Sequence, residues 1–111
     1  MSAKKRNRLS EAAPIFAALG DETRLRLIAR LSTDGPLSIA RLTAGGRVTR
    51  QAVTKHLHVL ACAGLASSAR TGRERVWELQ RRQIDAAREC LDGISAQWDR
   101  ALESLRKFVE E

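Results

Sequence analysis

Long hydrophobic runs are missing from this 111-residue chain. No stretch approaches the roughly 20 apolar residues that a membrane-spanning helix needs, and no membrane partner is expected. Cysteine is scarce. Cys62 and Cys90 are too few for a disulfide framework and too far apart for a CxxC pair, and a reducing cytoplasm is the simplest compartment for them. The basic opening, Met1-Ser2-Ala3-Lys4-Lys5-Arg6-Asn7-Arg8, has no apolar segment behind it. It therefore reads as a flexible tail over residues 1–9, with phosphate contact as an added role, and not as a signal peptide. Catalytic signatures are absent too: there is no glycine-rich phosphate loop, no HExxH and no GxSxG elbow. The two histidines, His56 and His58, sit close together in a basic stretch, a poor start for a catalytic constellation. Neither an enzyme nor a cofactor is expected.

What is present fits one domain, with 43% hydrophobic and 30% charged residues, an ordinary globular balance. The net charge of +7 is unevenly placed. Residues 1–80 carry 14 Lys/Arg against 6 Asp/Glu, whereas residues 81–111 carry 6 against 7. The excess positive charge belongs to the first part, which suggests one basic face and a separate neutral module.

Within the basic part, Val48 to Leu60 reads as an amphipathic helix. Val53, Leu57 and Leu60 fall at i, i+4 and i+7, which is one buried face. Arg50, Gln51, Thr54, Lys55 and His58 occupy the remaining arc. All five can hydrogen-bond a base edge or a phosphate, and none is acidic. Thr49 is a good N-cap, and Gly64 stands where the helix should end. Entered through Ala44-Gly45-Gly46-Arg47, this is the pattern of the second helix of a helix-turn-helix.

Upstream, a short helix is expected over Ser10 to Leu19, with Ile15, Phe16 and Leu19 on one face and Pro14 near its start. Asp21 should cap a second helix from Glu22 to Leu31, whose stripe is Leu25, Ile28 and Leu31, widened by Leu27. Thr33-Asp34-Gly35-Pro36 breaks the chain, and Ser38 starts a short helix carrying Ile39 and Leu42. Downstream, Leu65 to Arg70 and Arg75 to Leu79 flank Thr71-Gly72-Arg73-Glu74, a hairpin turn. A hairpin directly after a reading helix is the layout of a winged helix. Arg70, Arg73 and Arg75 would gather near the wing tip, within reach of the DNA backbone or minor groove, or else simply keep a solvated hairpin soluble.

From about Arg82 to Val109 a long helix is expected. Ile84, Leu91, Trp98 and Leu105 recur every seven residues, with Ala87, Ile94, Ala101 and Phe108 as the companion row. Gly93 interrupts the pattern and marks a possible break. So much apolar stripe favours dimerisation over packing within one subunit. The fold class is thus mainly α with a small β-hairpin wing. Residues 10–80 form the winged helix-turn-helix and residues 81–111 a dimerisation helix within the same compact domain.

These residues resemble the ArsR-type (ArsR/SmtB) winged-helix repressors. Ala18-Leu19-Gly20-Asp21-Glu22-Thr23-Arg24-Leu25-Arg26-Leu27-Ile28 is similar to their opening signature, and Arg50-Gln51-Ala52-Val53-Thr54-Lys55-His56-Leu57 to their recognition helix. Ala63-Gly64-Leu65 and Gly72-Arg73-Glu74-Arg75-Val76-Trp77 resemble the helix end and the wing. The likeness runs in unbroken order over about residues 10–110. It implies bacterial homodimers, joined through the first and last helices, that repress transcription from palindromic operators. Many members sense metals through a Cys-Val-Cys run, but Ser38 and Ala40 stand at those cysteine positions here. Others use histidines and carboxylates on the last helix, but no histidine follows His58. The chain therefore resembles the branch without evident metal ligands, and no metal is expected.

The resulting expectation is a homodimer bound to double-stranded operator DNA. Arg50 and Gln51 read bases, and Thr54 touches a base or a phosphate. Thr49 belongs to the same DNA-binding set, while Lys55, His58, Arg70, Arg73 and Arg75 fix register on phosphates. Ile15, Phe16, Leu91, Ile94, Trp98 and Leu105 are the expected dimer contacts. Three alternatives stay open. One is a winged helix that docks proteins without reading DNA. Another is a thiol switch at Cys62 or Cys90, and the third is an unknown small-molecule inducer that relieves repression. His58 and Cys62 could supply two metal ligands four residues apart, but no third ligand is near in sequence.

Overall fold

The computed structural model describes residues 2–110, with side chains from Arg8 onward. Five helices and a three-stranded antiparallel sheet follow the order α1 (Ser2–Leu19), α2 (Glu22–Asp34), β1 (Leu37–Ser38), α3 (Ile39–Thr43), α4 (Arg50–Cys62), β2 (Ala66–Thr71), β3 (Glu74–Leu79) and α5 (Arg81–Glu110). The sheet order is β1-β3-β2. This is the winged helix-turn-helix layout, with one strand more than the hairpin expected from sequence.

Local chemistry explains most boundaries. The Asp21 carboxylate accepts the Arg24 N–H at 3.0 Å and caps α2. Thr49 accepts the Ala52 N–H at 3.1 Å and caps α4, and Ser38 caps α3. α4 stops in a Schellman motif: the Leu65 N–H reaches Leu60 O at 2.9 Å and the Gly64 N–H reaches Ala61 O at 2.9 Å. Gly64 holds φ at +74°, a left-handed value that a Cβ would strain. Leu60 and Leu65, the apolar pair of that motif, are both fully buried.

The core gathers Ile15 and Ala18 from α1 with Leu27, Ile28 and Leu31 from α2. Leu37, Leu42, Val53, Leu57, Leu60, Trp77 and Ala87 complete it from the later elements. The α2 stripe differs from the expected one, for Leu25 is half-exposed while Leu27 is buried. Steps of three residues fall about 60° short of a full turn, so Leu25 drifts away from the face that Leu27, Ile28 and Leu31 share.

Three further points differ from the sequence reading or were left open by it. The expected tail over residues 1–9 falls on α1, which begins at Ser2; phosphate contact by the tail lies, up to Asn7, outside the described side chains. Pro14 accordingly stands inside α1. It is exposed, as is Ser10, so the carbonyl deprived of its helical donor faces water and the helix continues. Gly93 does not break α5, which runs unbroken for 30 residues, about 45 Å.

α5 divides into two parts. Ala87 and Cys90 are buried, but every residue from Leu91 to Glu110 is exposed within the protomer. The second part is an arm that accounts for the elongated shape, 68 × 30 × 20 Å. Arg8 and Leu9 share a half-open cleft of about 240 Å³ with Cys90, Gly93, Ile94 and Gln97.

Candidate nucleic-acid interface

The buried side of α4, made of Val53, Leu57 and Leu60, is fixed against the core and leaves the opposite side outward. Gln51 and Lys55 are exposed on that side, and Thr49 and Arg50 are exposed at the N-terminal end of the helix. Thr54 is half-buried, and its hydroxyl donates to Arg50 O at 2.8 Å, which leaves only its oxygen lone pairs to offer. His58 is exposed but not free-standing. Its ring meets the Trp77 indole edge-on, centroids 5.6 Å apart at 88°. The expected phosphate contact is therefore a side chain packed on the wing. His56 faces away from this surface, half-buried beside α2.

The wing is tight. Thr71 pairs with Glu74, which leaves Gly72 and Arg73 as a two-residue loop. Gly72 has φ +64° and, among the described residues, no non-glycine residue has a positive φ, the pattern of a type II′ turn suited to strand twist. Register places Arg70 opposite Arg75 and Ser68 opposite Trp77. Alternation then puts Arg70, Arg75, Ser68 and Trp77 on one face of the hairpin. At its base that face touches the reading helix through His58, and at its tip it carries the arginines.

A scarcity of acids separates this surface from the rest of the molecule. On α2 and α5, Arg26 meets Glu22, Arg30 meets Asp34, Arg81 meets Asp85, and Arg106 meets Glu103 and Glu110. Pairing on α5 is partial, since Arg82, Arg88, Arg100 and Lys107 have no carboxylate within 4.0 Å among the described residues; on the motif and wing no Lys or Arg is paired. Among the described residues, Arg50, Lys55, Arg70, Arg73 and Arg75 have no carboxylate within 4.0 Å, and neither do Arg41 on α3 and Arg47 in the turn before α4. No Asp or Glu occurs between Asp34 and Glu74. Unneutralised cations concentrated in one stretch of chain repel one another unless a polyanion meets them. Arg41 and Arg47 are additions to the expected set, and that acid-free interval is the sequence signal that would have found them.

Comparison with known proteins agrees with this geometry. A family described as "Helix-turn-helix domain" matches residues 19–68. The HTH-type transcriptional regulator Rv2034 of Mycobacterium tuberculosis is 36% identical over 95 residues, which cover 86% of this chain and 85% of that protein. An ArsR-like transcriptional regulator from Rhodococcus sp. RHA1 superposes with a TM-score of 0.77 at 34% identity, covering 89% of this chain and 92% of the other. The chain belongs to the ArsR-type winged helix-turn-helix transcriptional regulators. It is thus a DNA-binding transcriptional regulator, from a family of regulators and not of enzymes. The homodimeric winged helix-turn-helix DNA-binding domain Mb0332 of Mycobacterium bovis shares the fold, with a TM-score of 0.64 at 21% identity over 94% of this chain and 93% of that one.

Among the expected dimer contacts, the structure separates two kinds. Leu91, Ile94, Trp98 and Leu105 form an exposed row on the α5 arm, continued by Leu102. Ile15 is only 1% exposed and belongs to the protomer's own core, so it presents no surface to another chain. Phe16 is half-buried against the same core. Among the described residues, no helix is long and apolar enough to cross a membrane.

Proposed function

We propose that this regulator is a homodimeric repressor that occupies a palindromic operator and blocks transcription by its presence there. The observation that carries this reading is the set of unpaired cations shared by α4, its preceding turn and the wing. Arg50 and Gln51, exposed in the first turn of α4, are the base-reading pair: Arg suits guanine O6 and N7, Gln suits adenine N6 and N7. Lys55, Arg70, Arg73 and Arg75 hold phosphates, joined by Arg41 and Arg47. Thr49 and Thr54 lie at the edge of the contact, and His58 reaches it from its seat on Trp77.

The dimer in this reading is built on the α5 row from Leu91 to Leu105, with α1 alongside and Phe16 at its margin. The homodimeric state of the structurally similar M. bovis domain supports it. A protomer that leaves Trp98 at 64% exposure and Phe108 at 77% carries apolar surface that pairing would remove from water. Two reading helices about 34 Å apart would then meet successive major grooves. The cytoplasm is the compartment in which such a protein meets its DNA. If a small molecule relieves repression, the cleft between α1 and the α5 arm supplies volume for it next to the pairing surface.

The test is a fluorescence-anisotropy titration against DNA from upstream of the protein's own gene and a scrambled duplex of equal length, at the same physiological salt. Preference for the former by about 10³-fold or more supports a sequence-specific regulator acting there. Equal, weak, salt-sensitive binding to both, and to sites enriched from random duplexes, would favour a protein-docking module that keeps only a basic surface.

A further inference from the structure

One arginine ties three helices together behind the reading helix. Arg24, in the first turn of α2, donates Nε to Ala18 O in the last turn of α1 at 2.6 Å. Its Nη1 lies 3.2 Å from His56 Nδ1 on α4. Its own N–H is held by Asp21 Oδ2 at 3.0 Å, and that oxygen stands 3.9 Å from the same histidine nitrogen. Arginine has no acceptor, so the Arg24–His56 bond uses Nδ1 as the acceptor, with the ring proton on Nε2. Both side chains are half-buried, on the side of α4 away from the cations.

We infer that Arg24 is a positioning residue. Through His56 it sets the orientation of the reading helix relative to α1, and thereby the spacing between the two reading helices of the dimer. The inference rests on the homodimeric reading above, in which α1 lies along the pairing surface. The physical case is one of direction. Val53, Leu57 and Leu60 hold α4 by apolar burial, which is strong but non-directional and tolerates small rotations. A guanidinium bonded at once to a carbonyl on α1 and a ring nitrogen on α4 fixes an angle. Two reading helices that must match a fixed half-site separation depend on such angles, because a small tilt at each head changes the distance between them. No other side-chain hydrogen bond among the described residues joins α4 to α2.

The test uses full-length protein and sites enriched from random-sequence duplexes by the wild type. Binding is measured to the enriched site, to versions with about two base pairs added or removed between half-sites, and to a single half-site. Wild type should discriminate against wrong spacing by about tenfold or more. Arg24→Ala and His56→Ala should cut that discrimination to about threefold or less while half-site affinity stays within about twofold. His56→Gln, whose amide oxygen is still an acceptor, should restore it. The double variant should be no worse than either single variant. Thermal unfolding monitors folding, and should Arg24→Ala fail to fold, the His56→Ala and His56→Gln pair decides the matter. Unchanged spacing discrimination in a folded variant would overturn the inference, and so would an equal loss on every duplex including the half-site. A wild-type monomer by sedimentation, or no enriched site at all, would instead remove the homodimeric reading and this inference with it.

Discussion

Arg70 and Arg75 stand directly opposite one another across the two strands of the wing. Among the described residues, only Arg75 of the two has a side-chain partner, donating from Nη1 to Ser68 Oγ at 2.9 Å. Like charges in facing positions of a β-ladder destabilise it, by an amount within the 0.2–1 kcal/mol that such pairs typically carry. Arg70→Thr should therefore leave the free protein as stable as before, or more stable by about a few tenths of a kcal/mol. The same variant should weaken binding to every duplex alike and lower the salt slope by about one. Thermal unfolding and anisotropy titrations over a range of salt concentrations check the two halves. Loss of affinity for one sequence only would make Arg70 a base reader.

Arg50 and Lys55 are both exposed on α4 and should still behave differently. Arg50→Ala is expected to relax preference at one base position, at a cost of about 1–3 kcal/mol on the preferred site and little elsewhere. Lys55→Ala should weaken all sequences nearly equally and reduce the salt slope by about one. Competition titrations with single-base variants of an enriched site separate them. Identical profiles would refute the division between reading and positioning.

Leu91→Ala and Trp98→Ala should leave the unfolding of each protomer nearly unchanged, since these side chains are 52% and 64% exposed. Both should raise the protein concentration needed for half-saturation of DNA. Ile15→Ala supplies the contrast, because its side chain is buried and truncation should cost about 2–5 kcal/mol of folding stability. Sedimentation velocity at micromolar concentration reads the first effect and denaturant unfolding the second. A wild-type monomer at that concentration would end the dimer claim.

The Asp21 carboxyl is held below the usual aspartate range, chiefly by the Arg24 backbone N–H that it caps. Partial burial opposes this, and the nearby charge of Arg24 assists it. A group whose pKa is lower folded than unfolded lends stability above the unfolded value and loses it as pH falls through the folded one. Asp21 should thus contribute fully at neutral pH and progressively less below about pH 4. Asp21→Asn, which keeps a capping oxygen, should flatten that acid limb of the stability profile. An unchanged slope there would show that other carboxylates control it.

The parts of this fold that were legible in advance are those whose signals are local. Thr49, Val53, Leu57, Leu60 and Gly64 spell out a capped and terminated helix within sixteen residues, and α4 lies where they place it. Gly72 between two strand-forming runs marks the wing in the same way. β1 escaped because it is two residues long and exists only through Trp77 and Val76, some forty positions away. The start of α1 escaped because Ser10 and Pro14 imitate a cap and a first turn; exposure of both is what lets the helix pass through them.

Within the candidate site, the exposed cations followed from helical periodicity, but their surroundings did not. Periodicity places His58 on the outward arc and cannot show that β3 brings Trp77 against it. It counts Ile15 among apolar surface and cannot show that this side chain is already spent on the core. The Arg24–His56 bond joins residues 32 apart, with no repeat or spacing to announce it.

The bare arm of α5 has a consequence for gene dosage. If a second copy is what covers the row from Leu91 to Leu105, the amount of assembled repressor rises with the square of chain number while chains are scarce. Operator occupancy would then respond steeply to expression and to dilution by growth. A cell could lift repression by halving its stock a few times, with no inducer required.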